Sequence, residues 1–331
     1  MQLIAETAWH HDGDFIFFKK LVEEISIKTE ADFIKLHITL DLEEYMHSDH
    51  PAYQWAKERI ITKEQWIELF DIILNNNKKL MLLFNDKKAI DFGMSFSPEI
   101  VEIHSVCLND INLLKHLKKK IDPKTKVVLG VGGSDLYEIE NAINIINSKN
   151  VVLMHGFQNY PTKYEDINFS KIKKIMQLFP LYKHGYADHT AWNNENNVQI
   201  TLFGAALGMD YIEKHVTTSW GKERCDWNSA ISVEMFNDLS GKLKVLSASY
   251  GNGLLGLNSG EKSYSVFGSN KKAALLNKSV KKGDVFTEDC YSFKRTGQTS
   301  DLSQIEIIES MGKVFTKNLE EGHCLVKSNL E

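Results

Sequence analysis

The chain has 331 residues, of which 43% are apolar and 25% charged, and its formal net charge is −5. This is ordinary globular composition, and its acidic balance lacks the basic footprint of a nucleic-acid-binding protein. No run of about eighteen apolar residues occurs, so we expect no membrane span. The N-terminal residues lack a basic region followed by a long apolar core, so we expect no secretory signal. The four cysteines lie far apart without a C-x-x-C pair, which favours free thiols in a soluble, cytoplasmic protein.

Short apolar segments alternate with helical segments from the N-terminus to about residue 250. Eight predicted strands are centred near residues 4, 36, 82, 103, 128, 153, 187 and 213. Helix-period apolar stripes follow them, including those of segments 15–28, 63–75, 87–92, 111–119, 169–178 and 198–207. Ser134 and Ser232 are placed to cap two further helices. The segment from Asp41 to Lys57 is predicted to be a polar loop, and long loops in compact domains are often functional.

This alternation predicts the fold class. Strands separated by helices imply parallel pairing, and eight such units in about 250 residues close a (β/α)8 barrel. We therefore predict an α/β TIM barrel over residues 1–250. Catalytic residues of such barrels lie where strands end. The polar residues at or near those positions are Glu6, Lys35, Ser105, His155, His189 and His215.

The remaining residues have a different composition. Residues 251–269 are rich in Gly, Asn, Ser and Lys, which is typical of a linker. Residues 270–331 contain short apolar runs separated by tight turns, which predicts a small β-rich module. The sequence Leu319-Glu320-Glu321-Gly322 repeats the pattern of Val280-Lys281-Lys282-Gly283 and indicates a duplicated turn.

Two predicted strands of the barrel each deliver a histidine beside charged residues. The first ends at Asp188 and His189, and the second carries Glu213, Lys214 and His215. Neutral imidazoles suit a divalent transition metal, and flanking carboxylates can fix the tautomer by accepting the second ring N–H. The alternative from spacing alone is a pair of hydrogen-bonded structural histidines.

Six segments, in this order, resemble the sialic acid synthase family, whose members join phosphoenolpyruvate to an N-acyl amino sugar. They are Ile4-Ala5-Glu6 with His11 and Gly13, Phe33-Ile34-Lys35, His155 with Tyr160-Pro161, Tyr186-Ala187-Asp188-His189-Thr190, Ile212-Glu213-Lys214-His215-Val216-Thr217 and Phe293-Lys294-Arg295-Thr296-Gly297. The resemblance extends over nearly the whole chain. It implies a barrel followed by a C-terminal antifreeze-like (SAF) domain over residues 270–331.

The resemblance also implies roles for individual residues. His189 and His215 would hold a divalent metal, Mn²⁺ or Mg²⁺, that polarises the sugar aldehyde as a Lewis acid. The implied catalytic residues are Glu6, Lys35 and Asp188. The implied substrate-binding residues are Ser105, Tyr160, Lys214, Asp226 and Arg295. The family further implies a domain-swapped homodimer in which Arg295 serves the barrel of the other protomer.

The chain departs from the family on the phosphate side of the site. Glu102 stands where the family has a lysine, Gly130-Val131-Gly132 replaces a Ser-Thr-Gly, and Leu83-Phe84-Asn85-Asp86 replaces a Ser/Thr-Pro-Phe. Phosphoenolpyruvate carries close to three negative charges, so its recognition favours cations and several hydrogen-bond donors. Three hypotheses therefore stand: a condensing enzyme that uses phosphoenolpyruvate, the same metal and sugar site with another donor, or an inactive homologue that binds a sugar.

Overall fold

The computed structural model describes residues 1–157 and 159–331 and divides into two compact units, Met1–Gly251 and Asn252–Glu331. In the described part of the first unit, eight parallel strands pair in chain order, and the first also pairs with the eighth. This closure confirms the predicted (β/α)8 barrel. The strands are β1 (Gln2–Glu6), β2 (Phe33–Ile38), β3 (Lys79–Phe84), β4 (Ile100–Ile103), β5 (Lys126–Gly130), β6 (Val151–His155), β7 (Lys183–Asp188) and β8 (Tyr211–Thr217). A two-residue strand, β9 (Ile231–Ser232), extends the end of β8.

Helices follow the strands and pack against the outside of the barrel. Their buried faces carry the apolar stripes seen in the sequence, such as Leu113, Leu114 and Leu117. The helices of this unit are α1 (Phe15–Lys28), α2 (Leu42–Tyr45), α3 (Tyr53–Lys57), α4 (Lys63–Asn75), α5 (Lys87–Met94), α6 (Ile111–Lys120), α7 (Leu136–Ile146), α8 (Tyr164–Ile167), α9 (Phe169–Leu178), α10 (Asn197–Ala205) and α11 (Val233–Tyr250).

The interior of the barrel is a separate apolar layer below the strand ends. Because side chains alternate between the two faces of a strand, every second residue points inward. The inward apolar residues are Ile4, Phe33, Met81, Ile100, Val128, Val152, Met154, Ala187 and Tyr211. This layer closes the floor of the barrel, so the inward polar residues above it face the mouth.

Two local predictions were wrong. The segment from Asp41 to Lys57 contains α2 and α3, each a single turn and too short to show a helical period. The helix α7 is capped by Asp135, whose side chain accepts the N–H of Glu138 in a reciprocal capping box, and not by Ser134. Strand β4 ends at Ile103, and Ser105 begins a 3₁₀ helix that ends at Cys107.

The second unit has its own core, built around Phe286, Phe315 and Leu325, which are fully buried. Its strands β10 (Ala273–Leu276) and β11 (Tyr291–Lys294) pair in antiparallel fashion, and α13 (Gln304–Glu309) packs nearby. The predicted linker 251–269 is not irregular throughout, because α12 (Ser259–Tyr264) forms within it behind a capping box of Asn258 and Glu261.

The duplicated turn noted in the sequence corresponds to an internal repeat of this unit. Val280 and Leu319, which begin the two turns, pair directly through two backbone hydrogen bonds of 2.9 and 3.0 Å. The glycines that end the turns, Gly283 and Gly322, both adopt a positive φ, 87° and 82°. The residues on either side of the two turns also pair in equivalent ways: Leu275 bridges to Cys324, and Val314 bridges to Val285. The two halves of the unit therefore repeat one pairing pattern.

Among the described residues, no helix combines the length and apolar character needed to cross a membrane.

Candidate active site

A cavity of about 280 Å³ opens at the C-terminal ends of the barrel strands. Residues at or just beyond the ends of all eight strands line it, so it occupies the position where barrel enzymes place their catalytic groups. Seven of the predicted site residues line it directly: Glu6, Lys35, Ser105, Tyr160, His189, His215 and Asp226. Their individual roles remain predictions, but the fold brings them into one space.

The strand register places Glu6 between two of these residues. Glu6 pairs with Lys35 on β2 and with His215 on β8, so the three Cα atoms lie on one level of the barrel. Glu6 Oε1 lies 3.2 Å from Lys35 Nζ, and Glu6 Oε2 lies 3.3 Å from His215 Nε2. A second histidine, His37, also contacts Glu6 Oε1. Burial alone would raise the pKa of Glu6, but Lys35, His215 and His37 outweigh it and hold that pKa well below its usual range.

Glu6, His189 and His215 have the arrangement of a metal site. Their potential ligand atoms all lie within 4.8 Å of one another, in the described part of the chain. Two ligand atoms that bind one ion at right angles, each about 2.1 Å from it, are about 3.0 Å apart, close to the 3.3 Å between Glu6 Oε2 and His215 Nε2. Two imidazoles and one carboxylate suit Mn²⁺, Fe²⁺ or Zn²⁺ better than Mg²⁺, which prefers oxygen ligands. The residues present therefore fit a divalent transition metal.

The Nδ1 atoms of the two histidines have partners outside the candidate metal centre. His189 Nδ1 lies 3.1 Å from the carbonyl oxygen of Ala187, to which it donates its proton, so Nε2 carries the lone pair. His215 Nδ1 lies 3.4 Å from Ser229 Oγ. Burial, assisted by His215, lowers the pKa of His189 to about 3, which keeps its imidazole neutral as a metal ligand must be.

Lys35 is enclosed by three carboxylates. Its Nζ lies 2.7 Å from Glu102 Oε2, 2.8 Å from Glu213 Oε1 and 3.2 Å from Glu6 Oε1. All four side chains are at most 3% exposed. Burial opposes the charge of Lys35, but the three glutamates outweigh it and raise the pKa of this lysine. Burial raises the pKa of Glu102 against the opposing effect of Lys35, and burial together with Glu6 raises that of Glu213.

The other side of the cavity is formed by loops tied to each other. Tyr160 donates its hydroxyl to the carbonyl oxygen of Asp226 at 2.5 Å, and the Asp226 carboxylate accepts the N–H of Trp9 at 3.0 Å. Arg224 donates to the carbonyls of His10 and His11 at 3.0 and 2.9 Å. The loops after β1, β6 and β8 therefore form one wall with hydroxyl, carboxylate and indole groups, which suits a polyhydroxylated ligand.

Two glycines explain how the loops after β4, β5 and β6 approach each other. A Cβ on Gly130 would lie 2.6 Å from the backbone nitrogen of Ser105, and one on Gly132 would lie 1.9 Å from the carbonyl oxygen of Phe157. These positions admit only glycine without backbone movement. The Ser-Thr-Gly of the family is therefore replaced here by a turn that is packed against its neighbours.

Asp188 and Lys214 are brought together, but outside the cavity. They are Cα partners on β7 and β8 and their side chains pair with each other at 0% exposure. The Asp188 carboxylate also accepts hydroxyl groups from Thr190 and Thr201 at 2.8 and 2.9 Å, and Thr201 belongs to α10. Because Glu213 and His215 point inward, the intervening Lys214 points toward the helices. The pair thus lies in the helix layer behind the wall that carries the metal ligands.

Arg295 belongs to the second unit, where it donates to the carbonyl oxygen of Ser269 at 2.8 and 2.7 Å.

His155, one of the strand-end histidines, stacks on His184 with ring centroids 5.4 Å apart, and His155 Nε2 lies 3.1 Å from His184 Nδ1. Burial, assisted by His184, lowers the pKa of His155 to about 3. The His155 ring is thus held by another side chain.

Three of the cavity residues that sequence reasoning missed carry ring nitrogens. His37 contacts Glu6, His104 lies beside His37 with ring centroids 6.1 Å apart, and Trp9 contributes an indole. A signal existed for His37, because it shares the inward face of β2 with Phe33 and Lys35. His104 follows the end of β4 and Trp9 lies in a loop, where alternation gives no direction.

Taken together, the closed parallel barrel carries at its mouth a cavity in which two histidines and one carboxylate could hold a metal ion. The NeuB family model matches residues 6–254 of this chain, more than half its length. The chain belongs to the NeuB family, in agreement with the resemblance found in the sequence.

Comparison with named proteins agrees with this family membership. The chain is 25% identical over 340 residues to the N,N'-diacetyllegionaminic acid synthase of Campylobacter jejuni, covering 98% of each protein. It is 23% identical over 264 residues to the pseudaminic acid synthase of Helicobacter pylori, covering 75% of this chain and 74% of the relative. Among solved structures, spore coat polysaccharide biosynthesis protein E from Chromobacterium violaceum superposes with a TM-score of 0.82 at 20% identity, covering 100% and 99% of the two chains. That likeness shows the fold.

Proposed function

We propose that this chain is a metal-dependent carbon–carbon bond-forming enzyme that joins a three-carbon donor to the open-chain aldehyde of an N-acyl amino sugar, giving a nonulosonic acid. One observation carries the proposal: Glu6, His189 and His215 converge at the barrel mouth with their ligand atoms within 4.8 Å. A divalent cation held there, Mn²⁺ or Mg²⁺, would polarise the aldehyde oxygen of the sugar. The names of relatives that match over most of the chain support the same class of product.

The chain's own residues divide the work around that centre. Glu6 and the two histidines would hold the cation, beside which the sugar aldehyde would lie. Tyr160 and Asp226, joined at 2.5 Å, are placed to contact the sugar hydroxyls. Ser105 and Lys35 line the opposite side, where the donor would lie. Asp188 and Lys214 act as positioning residues, because their pair fixes the ends of β7 and β8 that carry His189 and His215.

Two donors are compatible with this chemistry. Phosphoenolpyruvate is the donor that the family resemblance implies, and the presence of Lys35 and Ser105 supports it. A donor without phosphate is favoured by a specific observation, the 2.7 Å contact between Glu102 and Lys35 Nζ, which engages the lysine that would bind an anion. A protein that only binds sugar is the less favoured alternative, because the metal ligands and their hydrogen-bond partners are all in place.

We also propose the wider organisation that the resemblance implies. The second unit would be an antifreeze-like domain, and the protein would be a cytoplasmic homodimer in which Arg295 contributes to the substrate site. Light scattering would test the dimer. An Arg295→Ala variant that remains dimeric should bind the amino sugar at least ten times more weakly, and unchanged sugar binding would contradict the role of Arg295.

The proposed function is tested with Mn²⁺-loaded protein, a panel of N-acyl amino sugars and their 6-phosphates, and either phosphoenolpyruvate or pyruvate. Mass spectrometry would detect the adduct, and a phosphate assay would follow phosphoenolpyruvate. We expect an adduct that His215→Ala abolishes and that His116→Ala, a surface histidine paired with Asp91, leaves unchanged. No adduct from any sugar with either donor would refute the enzyme and leave the binding protein.

A further inference from the structure

Ser229 contacts the ring of His215 on the side away from the candidate metal centre. Its Oγ lies 3.4 Å from His215 Nδ1, and the serine is 0% exposed. A buried hydroxyl is costly without a hydrogen bond, and a buried ring nitrogen has the same need. The proposed function gives Ser229 no role, although its side chain contacts a residue of that centre.

The backbone fixes Ser229 in this position. The serine ends a 3₁₀ turn, Trp227–Ser229, that leads into β9, and β9 pairs with the end of β8. Within the turn, the carbonyl oxygen of Asn228 accepts the N–H of Trp192, from the loop after β7, at 3.0 Å. The segment that carries Ser229 is therefore attached to both strands that position the two histidines.

Ser229 also belongs to a longer chain of hydrogen bonds. Its hydroxyl hydrogen-bonds that of Tyr160, and Tyr160 donates to the carbonyl oxygen of Asp226 at 2.5 Å. Burial raises the pKa of Tyr160, so its hydroxyl keeps its proton. A carbonyl oxygen can only accept, which fixes the direction of this bond and leaves the lone pairs of the Tyr160 oxygen for Ser229. The chain thus runs from His215 through two hydroxyl groups to the backbone of Asp226.

The two histidines differ in the partners of their Nδ1 atoms. His189 Nδ1 lies 3.1 Å from the carbonyl oxygen of Ala187, which can only accept, so the ring proton of His189 is fixed on Nδ1. A serine hydroxyl both donates and accepts, so Ser229 suits either tautomer of His215. Glu6 Oε2 lies 3.3 Å from His215 Nε2 and can accept a proton held on that nitrogen. His215 therefore has two possible tautomers, and each has a partner for its proton.

We infer that Ser229 is a positioning residue whose hydroxyl determines which nitrogen of His215 carries the ring proton, and that it connects this histidine to Tyr160 on the sugar side of the cavity. The inference rests on the proposed function, because the cation centre is part of it. With a divalent cation at Nε2, the ring proton lies on Nδ1 and Ser229 accepts it, while the hydrogen of Ser229 bonds to Tyr160. Without a cation, the ring proton lies on Nε2 beside Glu6, and Ser229 donates to Nδ1. The groups hold the same number of protons in both arrangements.

The chain makes cation affinity depend on two side chains that are not ligands. A cation at Nε2 draws electron density from the ring, which makes the Nδ1–H a stronger donor and strengthens its bond to Ser229. Because the loss of such a partner lowers metal affinity, Ser229→Ala should bind Mn²⁺ about 10–100 times more weakly than wild type. Tyr160→Phe keeps the ring and removes the hydroxyl. Its loss of affinity should be smaller, because Ser229 still accepts the Nδ1 proton.

Nitrogen NMR of full-length protein with ¹⁵N-labelled histidine reports the tautomer directly. Zn²⁺ suits the donor set and is diamagnetic, and the His215 signals are assigned by their loss in His215→Ala. In wild type, at one mildly alkaline pH, we expect the ring proton on Nε2 without metal and on Nδ1 with Zn²⁺. Tyr160→Phe should leave the metal-free signals unchanged. Ser229→Ala should shift the Nδ1 signal, because that nitrogen loses its hydrogen bond, and a role in packing alone would not produce this difference.

Electron paramagnetic resonance measures Mn²⁺ affinity without any substrate. Ser26→Ala is the matched control, because Ser26 is a buried serine of α1 whose Oγ has no hydrogen-bond partner among the described residues. Its Mn²⁺ affinity should equal that of wild type. The double variant Ser229→Ala/Tyr160→Phe should bind Mn²⁺ as Ser229→Ala does, because the chain is already interrupted at the serine.

The outcomes separate this inference from the proposed function. An unchanged Mn²⁺ affinity together with an unchanged Nδ1 signal in Ser229→Ala would overturn the inference alone. If Ser229→Ala does not fold, Tyr160→Phe decides, and a Mn²⁺ affinity equal to that of wild type would overturn the inference. Mn²⁺ binding that Ser229→Ala weakens, without any sugar adduct, would support the inference and refute the proposed enzyme. No Mn²⁺ binding by wild type would overturn both.

Discussion

The buried pair of Lys214 and Asp188 offers the sharpest test of how this site is constructed. The sequence resemblance makes Lys214 a substrate ligand, whereas the structure turns it away from the cavity, toward the helices, at 0% exposure. Replacing it with methionine, Lys214→Met, preserves much of the chain length and removes the charge. Asp188 would keep the hydroxyl donors Thr190 and Thr201 but lose its only cation among the described residues.

The expected cost is large because a carboxylate is left without a partner in the interior. Removing one member of a buried ion pair typically costs about 3–5 kcal/mol. In a unit of this size about 1 kcal/mol corresponds to about 2–4 °C, so the melting temperature should fall by roughly 6–20 °C. The control is Lys183→Met on β7, whose pair with Asp210 spans 3.6 Å with side chains 58% and 38% exposed. Such exposed pairs contribute about 0–1 kcal/mol.

The pH dependence of stability shows whether the buried charge of Asp188 causes the loss in Lys214→Met. Burial raises the pKa of Asp188, but Lys214 outweighs it, so in wild type that pKa is lowered and the carboxylate stabilises the fold above its unfolded pKa. Without Lys214 the effect of burial dominates, and the pKa of Asp188 rises above its unfolded value. Asp188 then takes up a proton more readily in the folded variant than in the unfolded chain. The stability gap between wild type and Lys214→Met should therefore be widest at neutral pH and narrow on acidification.

Urea unfolding at several pH values, followed by circular dichroism, measures these differences. Adding Asp188→Asn to Lys214→Met should recover part of the loss, because no buried charge remains. The sugar affinity of the folded variant should stay within about threefold of wild type, because Lys214 does not face the cavity. Full stability combined with a tenfold loss of sugar affinity would refute the reasoning and restore Lys214 as a substrate ligand.

Three further predictions concern the metal, the histidines and the glycine turn. Mn²⁺ at 100 times its dissociation constant should stabilise wild type by about 2.7 kcal/mol and His215→Ala by nothing, as measured by thermal unfolding, with a weaker response to Mg²⁺. Metal-free protein should lose stability as the pH falls below about 6.5, because the pKa of buried histidines such as His155 is lowered to about 3 and the unfolded chain therefore binds more protons. Each such histidine contributes at most about 1.4 kcal/mol per pH unit. Urea unfolding at pH 7 and 5 measures this slope, and His155→Gln should flatten it. Gly132→Ala should destabilise the barrel, because the added Cβ would lie 1.9 Å from a carbonyl oxygen. The control is Gly241→Ala in α11, where a Cβ would have no neighbour within 4 Å. This control should stabilise the protein by about 0.5–1 kcal/mol in the same assay.

The barrel could be predicted from the sequence because its signals are periodic. The predicted helix bounds agree with the structure within about two residues wherever a helix spans at least one full period, as in α4 and α9. The single-turn helices α2 and α3 escaped, because four or five residues do not define a period. The cap of α7 was misplaced because Ser134 and Asp135 are adjacent and both residue types cap helices.

The site was predictable in composition but not in orientation. Alternation along β8 already separates Lys214 from His215, yet the family resemblance assigned both residues to one site. The contact of Glu102 with Lys35 could not be derived, because β2 and β4 are not neighbours and meet only across the closed barrel. The sequence identified Glu102 as a departure from the family, but its contact with Lys35 is seen only in the folded barrel.

The strand order also explains how one half of such a site can change while the other is retained. The metal ligands come from β1 and from the ends of β7 and β8, which are adjacent through closure, so their spacing is fixed by hydrogen-bonded register. Of the three carboxylates around Lys35, Glu6 is its Cα partner in the register of β1 and β2, whereas Glu102 and Glu213 reach it from β4 and β8 through the barrel interior. A substitution at Glu102 therefore alters the charge presented to the donor without moving a strand that carries a metal ligand. A change at Glu102 is separable from the candidate metal centre because β4 carries none of its ligands, whereas Glu6 belongs to that centre and also contacts Lys35.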